Sequence, residues 1–495
     1  MIWTKEKLKE KIKKQTENCL LVIASNREPY IHSFKEGKII VKRPTGGAVT
    51  ALDPVMKACE GTWVAHGSGT ADRQTVDEKN RIKVPPQDPS YTLRRVWLTK
   101  EEEEGYYYGY SNQALWPLCH IVYQRPIFDA GQWESYKKVN RVFADAILEE
   151  IGNQKAVLWL QDYHLALAAK YVKEKRPDVF CAQFWHIPWP NPEAFRICPQ
   201  RKEILEGLLA NDLLGFHIRY HCENFIATVE REIEAKTDKE KTAIVTKGHE
   251  TVIRAFPISV DFEDIGRKAD SEKIQQDMAR LKSSIIPESK LLFLGLDRLD
   301  YTKGIPERFL AIDRFLEKYP QYKEKFVLFQ VGALSRIHIP SYKNLNEKLN
   351  AIVEEINWKH STPQWSPIML MREHITYDEI LACYKLADVC IVSALHDGMN
   401  LVAKEYISAK TDNSGVLLLS NFTGSARELT DAVYINPYDI ENFADTLKEA
   451  IEMPEEEKIK RMMNLRKIVR ENNIYKWASK VFEEIESSGV SGFGT

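Results

Sequence analysis

Residues 291–311 read LLFLGLDRLDYTKGIPERFLA. Positions 291–296 are apolar on both alternating faces, with one glycine among them. Such a run suits a strand covered on both sides, as in a parallel sheet. A charged loop follows from Asp297 to Lys303. Gly304 and Pro306 then open a helical pattern reaching 318, and proline is well placed in a first turn. A strand, a charged loop and a helix in this order form one unit of a layered α/β domain.

The same rhythm extends outward. Apolar runs at 326–332, 368–371, 389–394, 416–420 and 432–436 alternate with helical patterns near 305–318, 341–358, 377–386, 400–410 and 440–452. The first half repeats it, with strands expected at 20–25, 62–66, 94–98, 156–160, 179–185 and 212–216. Helices are expected there at 47–59, 132–152, 164–175, 199–210 and 217–235. The reading is two doubly wound α/β domains, 1–258 and 259–495. The polar stretch AFPISVDFEDIGRKADSE is expected as an exposed hinge near the boundary. The last helices, about 455–487, either extend the second domain or cross back to the first. In open α/β sheets ligands bind outside the carboxyl ends of the strands, so the functional motifs are expected at those ends.

Composition narrows the class. The 495 residues carry 69 Lys and Arg against 71 Asp and Glu, a formal charge of −2. That balance gives no electrostatic footprint for nucleic acid or an anionic membrane. The eight cysteines show no metal-site spacing and read as reduced core residues. The N-terminal segment MIWTKEKLKEKIKKQTEN lacks an apolar signal core and reads as a solvated helix. No stretch reaches the ~20 apolar residues of a membrane span, so a cytoplasmic enzyme is expected.

Three motifs carry candidate chemistry. In the opening stretch, Arg298 and Lys303 place two cations where a leaving diphosphate needs preorganised charge. A surface pair bonded to Asp297 or Asp300 explains the same spacing. The second motif, HDGMNLVAKE at 396–405, follows an apolar strand and opens a helix, whose first N–H groups can bind an anion. Gly398 permits close backbone approach, and Glu405 offers a carboxylate to ribose hydroxyls. Helix capping by Asp397 and a solvated Glu405 is the alternative. The third is Gly46-Gly47 before a helix, a plain turn or a phosphate cradle. Arg27, Asp162 and His186 stand at expected strand ends, where structural roles also fit. No P-loop, metalloprotease helix or GxSxG elbow is present.

In this order, SNR, GG, YYYGYSNQALWP, DYHLAL, HIPWPNPEAF, DLLGFH, LDRLDYTKGIPERFLA and DGMNLVAKEY resemble the trehalose-6-phosphate synthases, the family 20 retaining glycosyltransferases. The resemblance runs from about residue 20 to about 480. It implies a GT-B fold, two Rossmann-like domains facing across a cleft. The N-terminal domain would bind the acceptor and the C-terminal domain the nucleotide sugar. Arg298 and Lys303 would grip the donor diphosphate, with Gly46 and Gly47 against its phosphate or sugar. Asp397, Gly398, Met399, Asn400 and Leu401 would surround the transferred glucose and its phosphate. Glu405 would hold the ribose, and His186 would contact the glucose. Arg27, Tyr107 and Arg336 would bind the acceptor phosphate, with Trp116 and Asp162 in the acceptor pocket.

The chain departs from the family at His66, usually tryptophan, at Gln161, usually histidine, and at His396, usually arginine. The segment 28–45 is also rewritten. His66 lies in the acceptor region, and it is the identity of the acceptor that these changes leave open. The implied reaction is glucose transfer from a nucleotide sugar, UDP-glucose in the first instance, to glucose 6-phosphate, giving trehalose 6-phosphate. ADP or GDP as the donor base stays open. So does another acceptor such as glycerol 3-phosphate, a non-catalytic sugar-phosphate sensor, or a homo-oligomer. No carboxylate pair of the glycosidase type is visible. The implied chemistry is same-face substitution without metal or cofactor.

Overall fold

The computed structural model describes residues 2–15, 19–44, 47–238, 240–285, 290–373 and 375–489. The chain divides into two compact units, Met1–Ile258 with Ile474–Thr495, and Ser259–Asn473.

The second unit is the simpler. Its sheet runs Ile368–Met371, Phe326–Ala333, Leu291–Arg298, Val389–Val392, Val416–Ser420, Val433–Ile435, and every pairing is parallel. Numbered along the chain, that order is 3-2-1-4-5-6, a doubly wound sheet. Alternation explains the continuous apolar runs. Leu292, Leu294, Cys390, Val392, Leu417 and Leu419 enter one core, under the helices Tyr377–Leu386 and Leu401–Ala409. Phe293, Leu328, Ile391 and Leu418 enter the other, under Ile305–Lys318 and Ile440–Glu452. Burying both faces of each strand stabilises by roughly 25 cal/mol per Å² of apolar surface removed from water.

The first unit repeats the winding around Leu20–Arg27. Thr62–His66 and Tyr91–Val96 lie on one side of it. Ala156–Gln161, Phe180–Phe184, Leu213–Phe216 and His249–Ala255 lie on the other, all parallel. Antiparallel strands, Arg81–Val84 at one edge and Ala243–Thr246 with Lys236–Asp238 at the other, complete the sheet. The helix Ile474–Ser487 packs into this unit: Trp477 meets Trp159 at 5.1 Å and donates to the Phe256 carbonyl at 3.1 Å.

Two expectations are corrected. The stretch read as an exposed hinge contains the helix Phe262–Ala269, whose Phe262, Ile265 and Ala269 are buried, because its apolar residues recur at helical spacing. The N-terminal helix, Lys5–Gln15, is not fully solvated. Leu8 and Ile12 are buried, and Gln15 donates to Glu486 at 2.6 Å. The rewritten segment forms an antiparallel ribbon, Ile31–Lys35 with Lys38–Lys42, turning at Glu36-Gly37. Among the described residues no helix is long and apolar enough to cross a membrane.

Candidate active site

In the second unit the winding reverses between Leu291–Arg298 and Val389–Val392. That switch point is where loops part and leave room for a ligand. The two motif loops leave from these two strands. The first carries Arg298 as the last strand residue and Lys303 in the turn Tyr301–Lys303. The Leu395 N–H donates to the Thr302 carbonyl at 2.8 Å and joins the loops. The Lys303 ammonium lies 2.5 Å from Asp397 Oδ2, which also accepts from Asn400 Nδ2 at 3.1 Å. Asn400 holds φ +75° and caps the helix Leu401–Ala409, accepting from the Ala403 N–H at 3.3 Å. Glycine is required nearby: a Cβ on Gly424 would sit 2.0 Å from the Gly398 carbonyl. Met399 is buried. Glu405 is buried too, and the Tyr384 hydroxyl donates to it at 2.9 Å. Burial pushes its carboxyl up to about 7, against that bond.

A brace lies behind this loop. Arg308 has no exposed surface. Its guanidinium is 2.8 Å from Asp297 Oδ2 and donates to Gln330 Oε1 at 2.5 Å and Ser393 Oγ at 3.1 Å. The Ser393 hydroxyl in turn donates to the carbonyls of Lys303 and Gly304, at 3.2 and 2.9 Å. Three strand ends and the cation loop thus share one buried charge.

In the first unit the winding reverses between Leu20–Arg27 and Ala156–Gln161. Arg27 ends the first of these strands, and its guanidinium donates to the Tyr107 hydroxyl at 2.5 Å. Tyr107 sits in the π-helix Glu104–Leu115 and stacks on His164 at 5.7 Å. Asp162 follows the second strand at φ +73° and accepts from the N–H groups of Tyr163 and His186, at 2.9 and 3.2 Å. His186 donates from Nε2 to Gln161 Oε1 at 2.8 Å, and burial pulls its pKa down to about 3, so the ring is neutral. Trp116 is buried and joins the cluster through Tyr163, 5.9 Å away. His66 ends its strand opposite Arg27 in register. Burial lowers it to about 4, with Asp72 opposing.

The family-model match, Glycosyltransferase family 20, covers residues 20–487. The chain belongs to glycosyltransferase family 20. A family member, trehalose-6-phosphate synthase of Mycolicibacterium smegmatis, is 36% identical over 479 residues, 95% of this chain and 93% of that protein. The UDP-forming alpha,alpha-trehalose-phosphate synthase 1 of Aspergillus fumigatus is 33% identical, covering 98% of this chain and 93% of the relative. A Burkholderia xenovorans UDP-forming synthase solved in complex with glucose-6-phosphate matches at TM-score 0.85 and 28% identity, covering 94% of this chain and all of that one. An E. coli structure bound with UDP-2-fluoro glucose matches at TM-score 0.82 and 30% identity, covering 94% of this chain and 98% of that one. The chain is a glycosyltransferase of the trehalose-phosphate synthase kind, with the GT-B fold of two Rossmann-like domains.

Family 20 motifs located the strand-end residues; the partners behind them were missed. Asp297 was named only as a surface partner for the cations, yet it pairs with buried Arg308. Gly295 was the available signal, since a Cβ there would meet Arg308 and Gln330 at 2.2 Å each. Arg336 lies in the second unit at φ +52°. It is buried, with its guanidinium 2.6 Å from the Tyr342 hydroxyl and 3.5 Å from Asp300. Burial opposes the Asp300 charge, but Arg336, Arg298 and Lys303 hold that carboxyl below its usual range. Gly46 lies outside the described residues. Gly47 opens the helix Gly47–Cys59 at φ +79°.

Proposed function

We propose that the enzyme transfers glucose from UDP-glucose to glucose 6-phosphate with retention of configuration, giving trehalose 6-phosphate. The observation that carries the reading is the meeting of Lys303, Asp397 and Asn400 at the switch point of the second sheet. A cation, a sugar-binding carboxylate and a helix start stand there together, the set a nucleotide sugar requires. Arg298 and Lys303 take the diphosphate. Asp397, Gly398, Met399, Asn400 and Leu401 take the glucose and its phosphate, Gly47 lies against donor phosphate or sugar, and Glu405 holds the ribose. The E. coli relative bound with UDP-2-fluoro glucose supports this donor.

In the first unit Arg27 and Tyr107 receive the acceptor phosphate, a forked guanidinium being suited to a phosphate monoester. Trp116, Asp162 and His66 line the acceptor side, and His186 contacts the transferred glucose. Arg336 is assigned to phosphate as well. The Burkholderia relative with glucose-6-phosphate supports this acceptor. The acceptor hydroxyl attacks the face from which the diphosphate departs, and its proton passes to the leaving phosphate oxygen. Orientation and fixed charge lower the barrier.

His66 beside Arg27 favours one second reading, a different phosphorylated acceptor such as glycerol 3-phosphate. Product analysis decides between them: glucose 6-phosphate, glycerol 3-phosphate and free glucose at equal concentration, each with UDP-, ADP- and GDP-glucose. Glucose 6-phosphate with UDP-glucose is expected to be fastest, with an α,α-linked product by NMR. Free glucose as best acceptor would overturn the phosphate site. Glycerol 3-phosphate as best acceptor would overturn only the product, and an inverted linkage the mechanism.

A further inference from the structure

Behind Arg27 lies a buried polar cluster that the transfer chemistry does not use. Arg95, in the strand Tyr91–Val96, has no exposed surface. Its Nε donates to Glu28 Oε2 at 2.8 Å. Nη2 lies 2.8 Å from Asp72 Oδ1, donates to the Tyr30 carbonyl at 3.0 Å and meets His32 Nδ1 at 2.8 Å. Nη1 donates to the Asp72 carbonyl at 3.0 Å and the Thr75 hydroxyl at 2.7 Å. The other Glu28 oxygen accepts from the Ser68 N–H at 2.9 Å. Asp72 accepts from the N–H groups of His32 and Gly69, at 2.7 and 2.6 Å.

Two carboxylates and a guanidinium out of water are not a cheap way to hold a core. Apolar side chains of similar volume commonly do as well or better. A satisfied buried network does specify one geometry. The geometry specified here is that of the strand end. Glu28 directly follows Arg27. On the other side, the Ser25 hydroxyl donates to the Arg27 carbonyl at 2.8 Å and accepts from the Trp63 indole at 2.8 Å. Arg27 is therefore fastened before and after. The same Glu28 carboxylate anchors the turn that follows His66. That turn is tight: a Cβ on Gly69 would lie 2.2 Å from the His32 carbonyl.

We propose that Glu28, gripped by Arg95, is a positioning residue for the acceptor. It fixes Arg27 and the turn after His66 in the orientation that receives the sugar phosphate. The inference rests on reading Arg27 as a ligand of that phosphate.

Steady-state kinetics of Glu28→Gln, Glu28→Asp and Arg27→Ala, with both substrates varied and Tm recorded, test it. Gln keeps the size but loses one acceptor oxygen. Asp keeps the carboxyl group but is one methylene short of spanning Arg95 and Ser68. The KM for glucose 6-phosphate is expected to rise about tenfold in Glu28→Gln, as loss of a charged hydrogen bond would give. A smaller rise is expected in Glu28→Asp, with donor KM and kcat within about twofold in both. Should Glu28→Gln fail to fold, Glu28→Asp carries the test. An unchanged acceptor KM in a folded Glu28 variant, with Arg27→Ala raising it, overturns the inference and leaves the phosphate reading standing. An unchanged acceptor KM in Arg27→Ala overturns that reading instead. Parallel loss of donor KM, acceptor KM, kcat and Tm marks a purely structural role and overturns the inference.

Discussion

The two sheets share one winding, and each sets a fully buried arginine behind the strand end that carries an exposed one. In the second unit Arg308 backs Arg298; in the first, Arg95 backs Arg27. The difference is charge. Arg308 faces one carboxylate, Asp297, with neutral Gln330 and Ser393. Arg95 faces two, Glu28 and Asp72, with a histidine beside them. The first brace is balanced as built. The second carries a surplus carboxylate, and burial with Asp72 nearby pushes Glu28 up to about 8, although Arg95 pulls it down. The cluster behind Arg27 therefore changes its own charge near neutrality.

The sharpest way to break the comparison is at the cation loop. Lys303→Ala or Arg298→Ala should lower kcat/KM by about 10²–10³, the usual scale for one lost electrostatic contact to a transition state. Near-normal turnover in both folded variants would remove the donor assignment. Next come the braces. Arg308→Gln and Arg95→Gln each leave a buried carboxylate without its cation, which costs about 3–5 kcal/mol. Denaturant titration above about pH 8, where Glu28 is ionised, should show the larger loss for Arg95→Gln, because two carboxylates then lose their partner. Equal losses there would mean that Glu28 is still carried as the neutral acid.

A smaller effect is on pH. Between 4.5 and about 8 the folded chain holds a proton on Glu28 that the unfolded chain has released. Stability therefore falls as pH rises through that window. Tm scans should show this fall reduced in Glu28→Gln. His66 has the opposite sign. Its folded pKa is lowered from 6.5 to about 4, so its share of stability is lost as pH falls across that interval. His66→Gln should reduce the acid-side loss; an unchanged acid limb would mean that the ring stays charged when folded. The smallest expected effect is that of chelation. On the proposed donor assignment Arg298 and Lys303 supply the charge a diphosphate needs, so activity should persist after exhaustive EDTA treatment. A requirement restored by Mg²⁺ would count against that assignment.

Regular elements were legible wherever an uninterrupted apolar run met clear punctuation. Thr62–His66, Ile368–Met371, Val416–Ser420 and the helix Ile305–Lys318 lie where the pattern places them. The ribbon Ile31–Lys35 with Lys38–Lys42 escaped because it packs little of itself away: among its strand residues only His32 is buried. Lys236–Asp238 and Ala243–Thr246 escaped because they are three and four residues long, and His249–Ala255 because polar residues flank its short apolar pair Val252-Ile253. In the site, exposed ends were readable and buried braces were not. An Arg94-Arg95 pair in a sequence suggests surface, and only the fold shows that Arg95 is enclosed. The π-helix bearing Tyr107 gave no periodic signal, since its turns hold an extra residue.

The return of the helix Ile474–Ser487 to the first unit also orders events during synthesis. Trp159 leaves the ribosome early, but its neighbour Trp477 follows only after all of Ser259–Asn473. The second unit, continuous in sequence, can complete its core while the first still waits with aromatic surface uncovered. Chains released before residue 474 would carry that open surface, the kind of species on which chaperones and aggregation act.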